Sequence, residues 1–199
     1  MRSLLKMPLT AYGTMLPVMN MSNIKSSYKE YHYNKVFQSI CFSINPSKIV
    51  EFGILEGYSL DCFVNYSQDC DIEANDLFDD FPYNAADYNF VTEKYRENTN
   101  VSIYKRDFYK SVDLYEDDSI DILHIDIANN GETFEFAIGN YLPKVRGVMI
   151  MEGGSDERDN IEWMVKYNKP KIGPVLKNYS NDVRITVLED FPSITLIRK

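Results

Sequence analysis

Two glycines and a succession of acids are the residues of this chain best suited to hold a ligand. In Val50-Glu-Phe-Gly-Ile-Leu-Glu-Gly-Tyr-Ser59 an apolar run reaches Glu51, and Gly53 and Gly57 then bracket a sharp turn that opens a helix. Glycine permits backbone angles and a close approach that a Cβ would forbid. The helix start offers free N–H groups to an anionic ligand group. A plain strand-to-helix connection could carry the same glycines, so their position is what gives them weight. Asp76 ends the next apolar stretch, in Ile72-Glu-Ala-Asn-Asp-Leu-Phe78, and Asp107 follows the one after, in Lys105-Arg-Asp-Phe108. Either acid alone reads as well as a solvated loop residue. Together they recur where successive strands end, which is where open α/β sheets bind ligands.

A second group lies further along. In Asp121-Ile-Leu-His-Ile-Asp126, strand alternation puts His124 and Asp126 on one face, with Asp126 at the strand's end. A histidine inside an apolar strand is more often a buried, hydrogen-bonded residue than a catalyst. His32 sits among Tyr28, Tyr31 and Tyr33 and reads as an exposed helical residue. Glu152 opens Glu152-Gly-Gly-Ser155 after another apolar stretch. Cys41, Cys62 and Cys70 stand at no metal-finger or redox spacing and read as reduced thiols.

These groups need a frame, and the chain alternates strand with helix. Ser27-Tyr-Lys-Glu30 has the form of a capping box, after which Tyr33, Val36, Phe37 and Ile40 fall on one helical face as far as Asn45-Pro46. Strands are predicted at 48–52, 72–75, 101–105, 120–125 and 148–151. Helices are predicted at 59–66, around Tyr88, Val91 and Tyr95, around Phe134, Ala137, Ile138 and Tyr141, and around Ile161, Met164 and Val165. Residues 183–188, a turn at Glu189-Asp-Phe-Pro192, and residues 193–197 make a closing hairpin. Repeated β-α units predict a mostly parallel sheet covered on both faces. Residues 1–25 lack periodicity and are expected to be an arm or lid, leaving 26–199 as one domain.

Bulk properties narrow the function. The 199 residues, 44% of them hydrophobic, suffice for one domain with a real core. With 21 basic and 30 acidic residues the net charge is −9, which repels polyphosphate and argues against a nucleic-acid partner. A small neutral or cationic substrate is easier to accommodate. No run reaches membrane-spanning length. Pro8, Gly13 and Pro17 interrupt the stretch after Arg2 and Lys6, and no small-residue cleavage site follows. The expectation is a soluble, cytoplasmic protein without a membrane partner, its oligomeric state open and a homodimer included.

Residues 50–59 resemble motif I of the class I S-adenosylmethionine-dependent methyltransferases, nearest the small-molecule O-methyltransferase branch, with Leu55 where the middle glycine stands. The resemblance runs in order over residues 46–199. It implies a Rossmann-like class I methyltransferase fold, a mostly parallel seven-stranded sheet with a C-terminal antiparallel hairpin, and S-adenosylmethionine as cofactor. Glu51, Gly53 and Gly57 would pack on the cofactor's amino-acid moiety. Asp76 would bind the ribose hydroxyls, since a carboxylate suits an adjacent diol. Leu77 would border the adenine, Asp107 accept from its amine, and Phe108 stack on the ring. The implied catalytic residues are Asp126 and His124, with Ala128-Asn129-Asn130-Gly131 where many members carry a loop histidine. Asp126 and Glu152, on neighbouring strands about 5 Å apart, resemble a divalent-metal site for an ion such as magnesium, with Asn129 or Asn130 as a further ligand. Two carboxylates so close repel unless a proton or cation intervenes. The implied reaction is methyl transfer to an oxygen of a small-molecule acceptor. Leu55 and the missing histidine also suit a catalytically degenerate sensor or partner subunit. A nucleotide-dependent Rossmann oxidoreductase is the third reading, against which the absent third glycine and the closing hairpin count.

Overall fold

The structure is a computed structural model that describes residues 25–29, 31–80 and 84–199. Of the expected N-terminal arm, all but Lys25 lies outside these residues, as does Glu30. Seven strands form one sheet: β1 (Lys48–Phe52), β2 (Asp71–Asp76), β3 (Val101–Lys105), β4 (Ile120–Ile125), β5 (Val145–Glu152), β6 (Arg184–Leu188) and β7 (Ile194–Arg198). Their order across the sheet is β3-β2-β1-β4-β5-β7-β6. The first five run parallel, and β7 pairs antiparallel with both β5 and β6. This is the expected mostly parallel sheet with its closing hairpin. Every residue of β4 is buried, as a strand covered on both faces requires. The direction of winding reverses between β1 and β4, which opens a crevice at their carboxyl ends.

Helices α1 (Tyr33–Ile44), α2 (Tyr58–Tyr66) and α3 (Tyr88–Lys94) precede β1, β2 and β3. They contribute Phe37, Phe63 and Val91 to one core, against Ile49, Ile72 and Ile122 of the sheet. On the other face, α4 (Gly131–Phe136) and α7 (Ile172–Tyr179) bury Phe134 and Leu176 against Val50, Leu123 and Met149. Neighbouring residues of one strand thus serve opposite cores, as the period of two dictates. The short helices α5 (Asp156–Asp159) and α6 (Glu162–Lys166) lie between β5 and α7. Among the described residues no helix is long and apolar enough to cross a membrane.

Three local expectations are corrected. Ser27–Lys29 is a separate 3-10 turn, and α1 begins at Tyr33 behind His32, whose φ is 58°. Tyr28 is buried, so the chain must turn after it before Tyr33 and Phe37 can reach the same core. Val165 of the expected α6 stripe is 64% exposed, whereas Met164 is buried. No element is predicted at 167–182, yet α7 stands there. A proline in the first helical turn loses no needed hydrogen bond. The carboxylate of Asp159 accepts from the N–H groups of Ile172 (2.7 Å) and Gly173 (2.8 Å). That cap comes from another helix, so local sequence does not announce it.

Asp159→Ala removes the acceptor for both amides and is expected to cost about 1–2 kcal/mol. Urea unfolding measures this, and an unchanged midpoint would mean that packing alone holds α7.

Candidate functional site

At the carboxyl ends of β1, β2 and β4 lies a cavity of about 520 Å³, within the size range of small-molecule and cofactor sites. Its walls include Gly53 and Leu55 of the glycine turn, Asp76 and Leu77 after β2, Asp107 and Tyr109 after β3, and Asp126 after β4. Tyr28 closes another side.

The turn is shaped by steric necessity. Gly53 has φ +93°, and a Cβ there would stand 1.8 Å from the carbonyl oxygen of Asp126. Only glycine lets the end of β1 pass so near the end of β4. Gly57, with φ +82°, is crowded from behind: a Cβ would meet the Tyr95 hydroxyl at 2.3 Å. That hydroxyl donates to Asp61 at 2.7 Å and lies 3.0 Å from the Gly57 carbonyl. Lys94 bonds Asp61 and the Glu56 carbonyl, both at 2.8 Å. Gly57 is not among the cavity's lining residues. Its place is in the clamp between the turn and α3.

Asp76 holds the turn from the other side. Its carboxylate accepts from Ile54 N (2.8 Å), Phe78 N (2.9 Å) and Asn84 Nδ2 (2.7 Å). A carboxylate has about four acceptor positions, so about one remains for a ligand. Asp107 caps its own 3-10 turn by accepting from Tyr109 N at 3.0 Å, and it pairs with Lys110 at 3.0 Å. Phe108 lines the cavity but is nearly fully buried, with its ring already packed against others. Its ring stacks on Tyr141 at 4.8 Å and meets Phe52 edge-on within the core. The exposed aromatic beside the cavity is Tyr109, whose hydroxyl lies 3.1 Å from Thr133 Oγ1.

Glu51 and His124 stand behind the wall instead of on it. Both are fully buried, with His124 Nδ1 2.8 Å from Glu51 Oε1. Ser59 donates to the same carboxylate oxygen at 2.5 Å. On its other side, His124 Nε2 lies 3.3 Å from the Tyr28 hydroxyl. Direct contact of Glu51 or His124 with a ligand therefore gives way to a supporting position. Asp126 does line the cavity. Burial pushes its carboxyl above the usual carboxylate range, against the opposing pull of His124.

The expected metal pair is corrected. Ile125 faces Met151 in the register, so Asp126 and Glu152 are indeed adjacent along the sheet. Both Glu152 oxygens, however, are taken by Arg158, at 2.5 Å from Nε and 2.9 Å from Nη2, and both residues are buried. Burial raises the Glu152 carboxyl while the guanidinium opposes that rise. The Asn129 amide donates to the carbonyls of Ile125 and Glu152, both at 2.9 Å. Among the described residues no group of three His, Cys, Asp or Glu could hold a metal ion. Asp126 and Glu152 do not fit a divalent cation.

Asn84 and Tyr109 are the site residues that sequence alone did not single out. Tyr109 had an aromatic neighbour as its signal. Tyr28 stands in the tyrosine group around His32, which could line a pocket or pack against the sheet edge; it lines the cavity, and its partner on β4 lies 96 positions away with nothing local to announce it.

Strand order, glycine turn and cavity together define the fold as that of the class I methyltransferases. The sequence matches no family model and no curated relative. Among solved structures, it is similar to an S-adenosylhomocysteine-bound methyltransferase of Podospora anserina at 16% identity and TM-score 0.58, covering 83% of this chain and 76% of that one. A candidate caffeoyl-CoA O-methyltransferase from Staphylococcus aureus aligns at 14% identity and TM-score 0.62, over 90% of this chain and 87% of that one. A candidate O-methyltransferase from Klebsiella pneumoniae gives 14% and 0.63, over 83% and 78%. At such identities the shared property is the fold.

Arg158→Met would leave Glu152 buried without its cation and is expected to cost about 3–5 kcal/mol in urea unfolding. Adding Glu152→Gln should recover most of that loss. No recovery would mean that Arg158 acts through its packing and not through the pair.

Proposed function

We propose that the protein is an S-adenosylmethionine-dependent methyltransferase acting on an oxygen of a small-molecule acceptor. The observation that carries this reading is the cavity at the carboxyl ends of β1, β2 and β4, lined by Gly53, Asp76 and Asp126 within a class I methyltransferase fold. Charge supports it. Asp76, Asp107 and Asp126 line the cavity, while of the two cations there Arg106 is paired with Glu73 at 2.7 Å and Lys25 with Glu56 at 3.9 Å. Three acids suit a ligand with a sulfonium and an ammonium group, and they would repel the pyrophosphate of a dinucleotide. The net charge of −9 likewise supports an acceptor other than nucleic acid.

S-adenosylmethionine, when bound, supplies an activated methyl group. Asp76 would accept from one ribose hydroxyl at its remaining position, and from the second where the ligand displaces the Asn84 amide; Leu77 and Tyr109 would flank the adenine, and Asp107 would accept from its amine. The glycine turn would leave room for the amino-acid moiety beside Gly53. Asp126 would orient the acceptor hydroxyl and take its proton, a role suited to a carboxyl whose proton affinity burial has raised. Alignment of acceptor and methyl group would supply much of the rate.

Calorimetric titration tests the cofactor: S-adenosylhomocysteine should bind and raise the melting temperature through mass action. Binding of NAD with no response to S-adenosylhomocysteine would sink the reading. Asp76→Ala should weaken that binding by about 2 kcal/mol through lost charge-assisted hydrogen bonds. It should also lower stability, because Ile54 N and Phe78 N lose their acceptor. A folded variant with native affinity would move the ribose acid elsewhere.

A further inference from the structure

His124 has no direct access to the cavity, yet one side chain connects it to a residue that has. The Tyr28 hydroxyl lies 3.3 Å from His124 Nε2, and Tyr28 itself lines the cavity. The ring is confined by Tyr33 at 5.6 Å, Phe37 at 5.5 Å and Tyr58 at 6.3 Å, all between ring centroids, so its hydroxyl has little freedom. Tyr28 and Asp126 line the same cavity, and each acts on the other's proton affinity. This follows from the strand: residues two apart share a face and stand about 6.6 Å apart, a gap that one hydroxyl can bridge. A phenol carries one proton and two lone pairs, so it can donate to a carboxylate while it accepts from a protonated Nε2 or shares its proton with a neutral one.

We propose that Tyr28 is the positioning residue for Asp126: its hydroxyl joins the Asp126 carboxylate to the buried His124–Glu51 pair and holds it in one orientation toward the cavity. The functional part rests on the methyltransferase reading, in which Asp126 acts on the acceptor's proton. His124 is then an anchor. Its Nδ1 is fixed by Glu51, which Ser59 fixes in turn, so Nε2 presents a rigid partner to Tyr28. The charged groups around the Tyr28 hydroxyl are Glu51 on β1, Asp126 after β4 and Glu152 on β5, the last neutralised by Arg158. Burial and these acids keep the phenol neutral and able to donate. Tyr28 belongs to the segment before α1, whose start is tied to the glycine turn by the Lys25 N–H donating to Glu56 at 2.8 Å. That segment completes the site by supplying the hydroxyl.

The chain has 2 histidines, so side-chain nitrogen NMR reads His124 directly once His32→Asn has assigned the other signal. Tyr28→Phe keeps the ring, and its Nε2 resonance for His124 should move because the hydroxyl is gone. Asp126→Ala should move the resonance far more in the native background than in Tyr28→Phe, because the phenol relays the change. An equal shift in both backgrounds is the direct field of the carboxylate and overturns the proposal. Should Tyr28→Phe fail to fold, the buried Tyr28 hydroxyl proton decides instead: it should move strongly in Asp126→Ala, and an unmoved signal overturns the proposal. Titration of the native protein with S-adenosylhomocysteine separates the two readings. Lost coupling with intact binding removes only the positioning role, whereas intact coupling without binding removes only the cofactor assignment.

Discussion

A carboxylate with no exposed surface sits at the centre of the sheet, and much of the site is organised around it. Glu51 lies on β1 between buried apolar residues, where an uncompensated charge would be very costly. Its partners come from two other elements. The register puts His124 of β4 directly beside it, and the first turn of α2 brings Ser59 over the same oxygen. β1, β4 and α2 must therefore meet in one arrangement before Oε1 finds its two partners, while Oε2 has none among the described residues. Through His124 the constraint extends to Tyr28, and so to the segment that precedes α1.

The other acids of the site follow the same rule. Asp76 receives two backbone N–H groups and an asparagine amide, Asp107 caps a turn, and Glu152 is matched by a guanidinium. Each is held by protein before any ligand arrives. Preorganised groups of this kind need little rearrangement when a ligand's own charges replace water. The arrangement also separates acids that look alike in the sequence. Asp126 opens to the cavity, while Glu152, its neighbour in the register, is spent on Arg158.

The likeness to solved methyltransferases at 14–16% identity shows how little of a sequence this architecture demands. What recurs is a strand order and a crevice at its reversal point. A fold of this kind can host many chemistries, so the cofactor and acceptor are argued from the cavity's residues and charges.

The sequence by itself determined the elements whose signals are local. β1, β3 and β4 lie where their apolar, β-branched runs put them, and the closing hairpin falls around Glu189-Asp-Phe-Pro192. The glycine turn and the acids after β2, β3 and β4 were legible because strand ends and glycines are marked in one short stretch each. Tertiary structure decided what those residues do. Gly57 proved to face Tyr95, Phe108 turned into the core, and α7 was capped by Asp159 from another helix. Arg158 claimed Glu152, and Tyr28 joined His124 across 96 positions. None of these pairings has a local signature, because a hydrogen-bond or charge partner is chosen by proximity in the folded chain. The sequence names the groups that need partners, and only the packed sheet determines which partners they find.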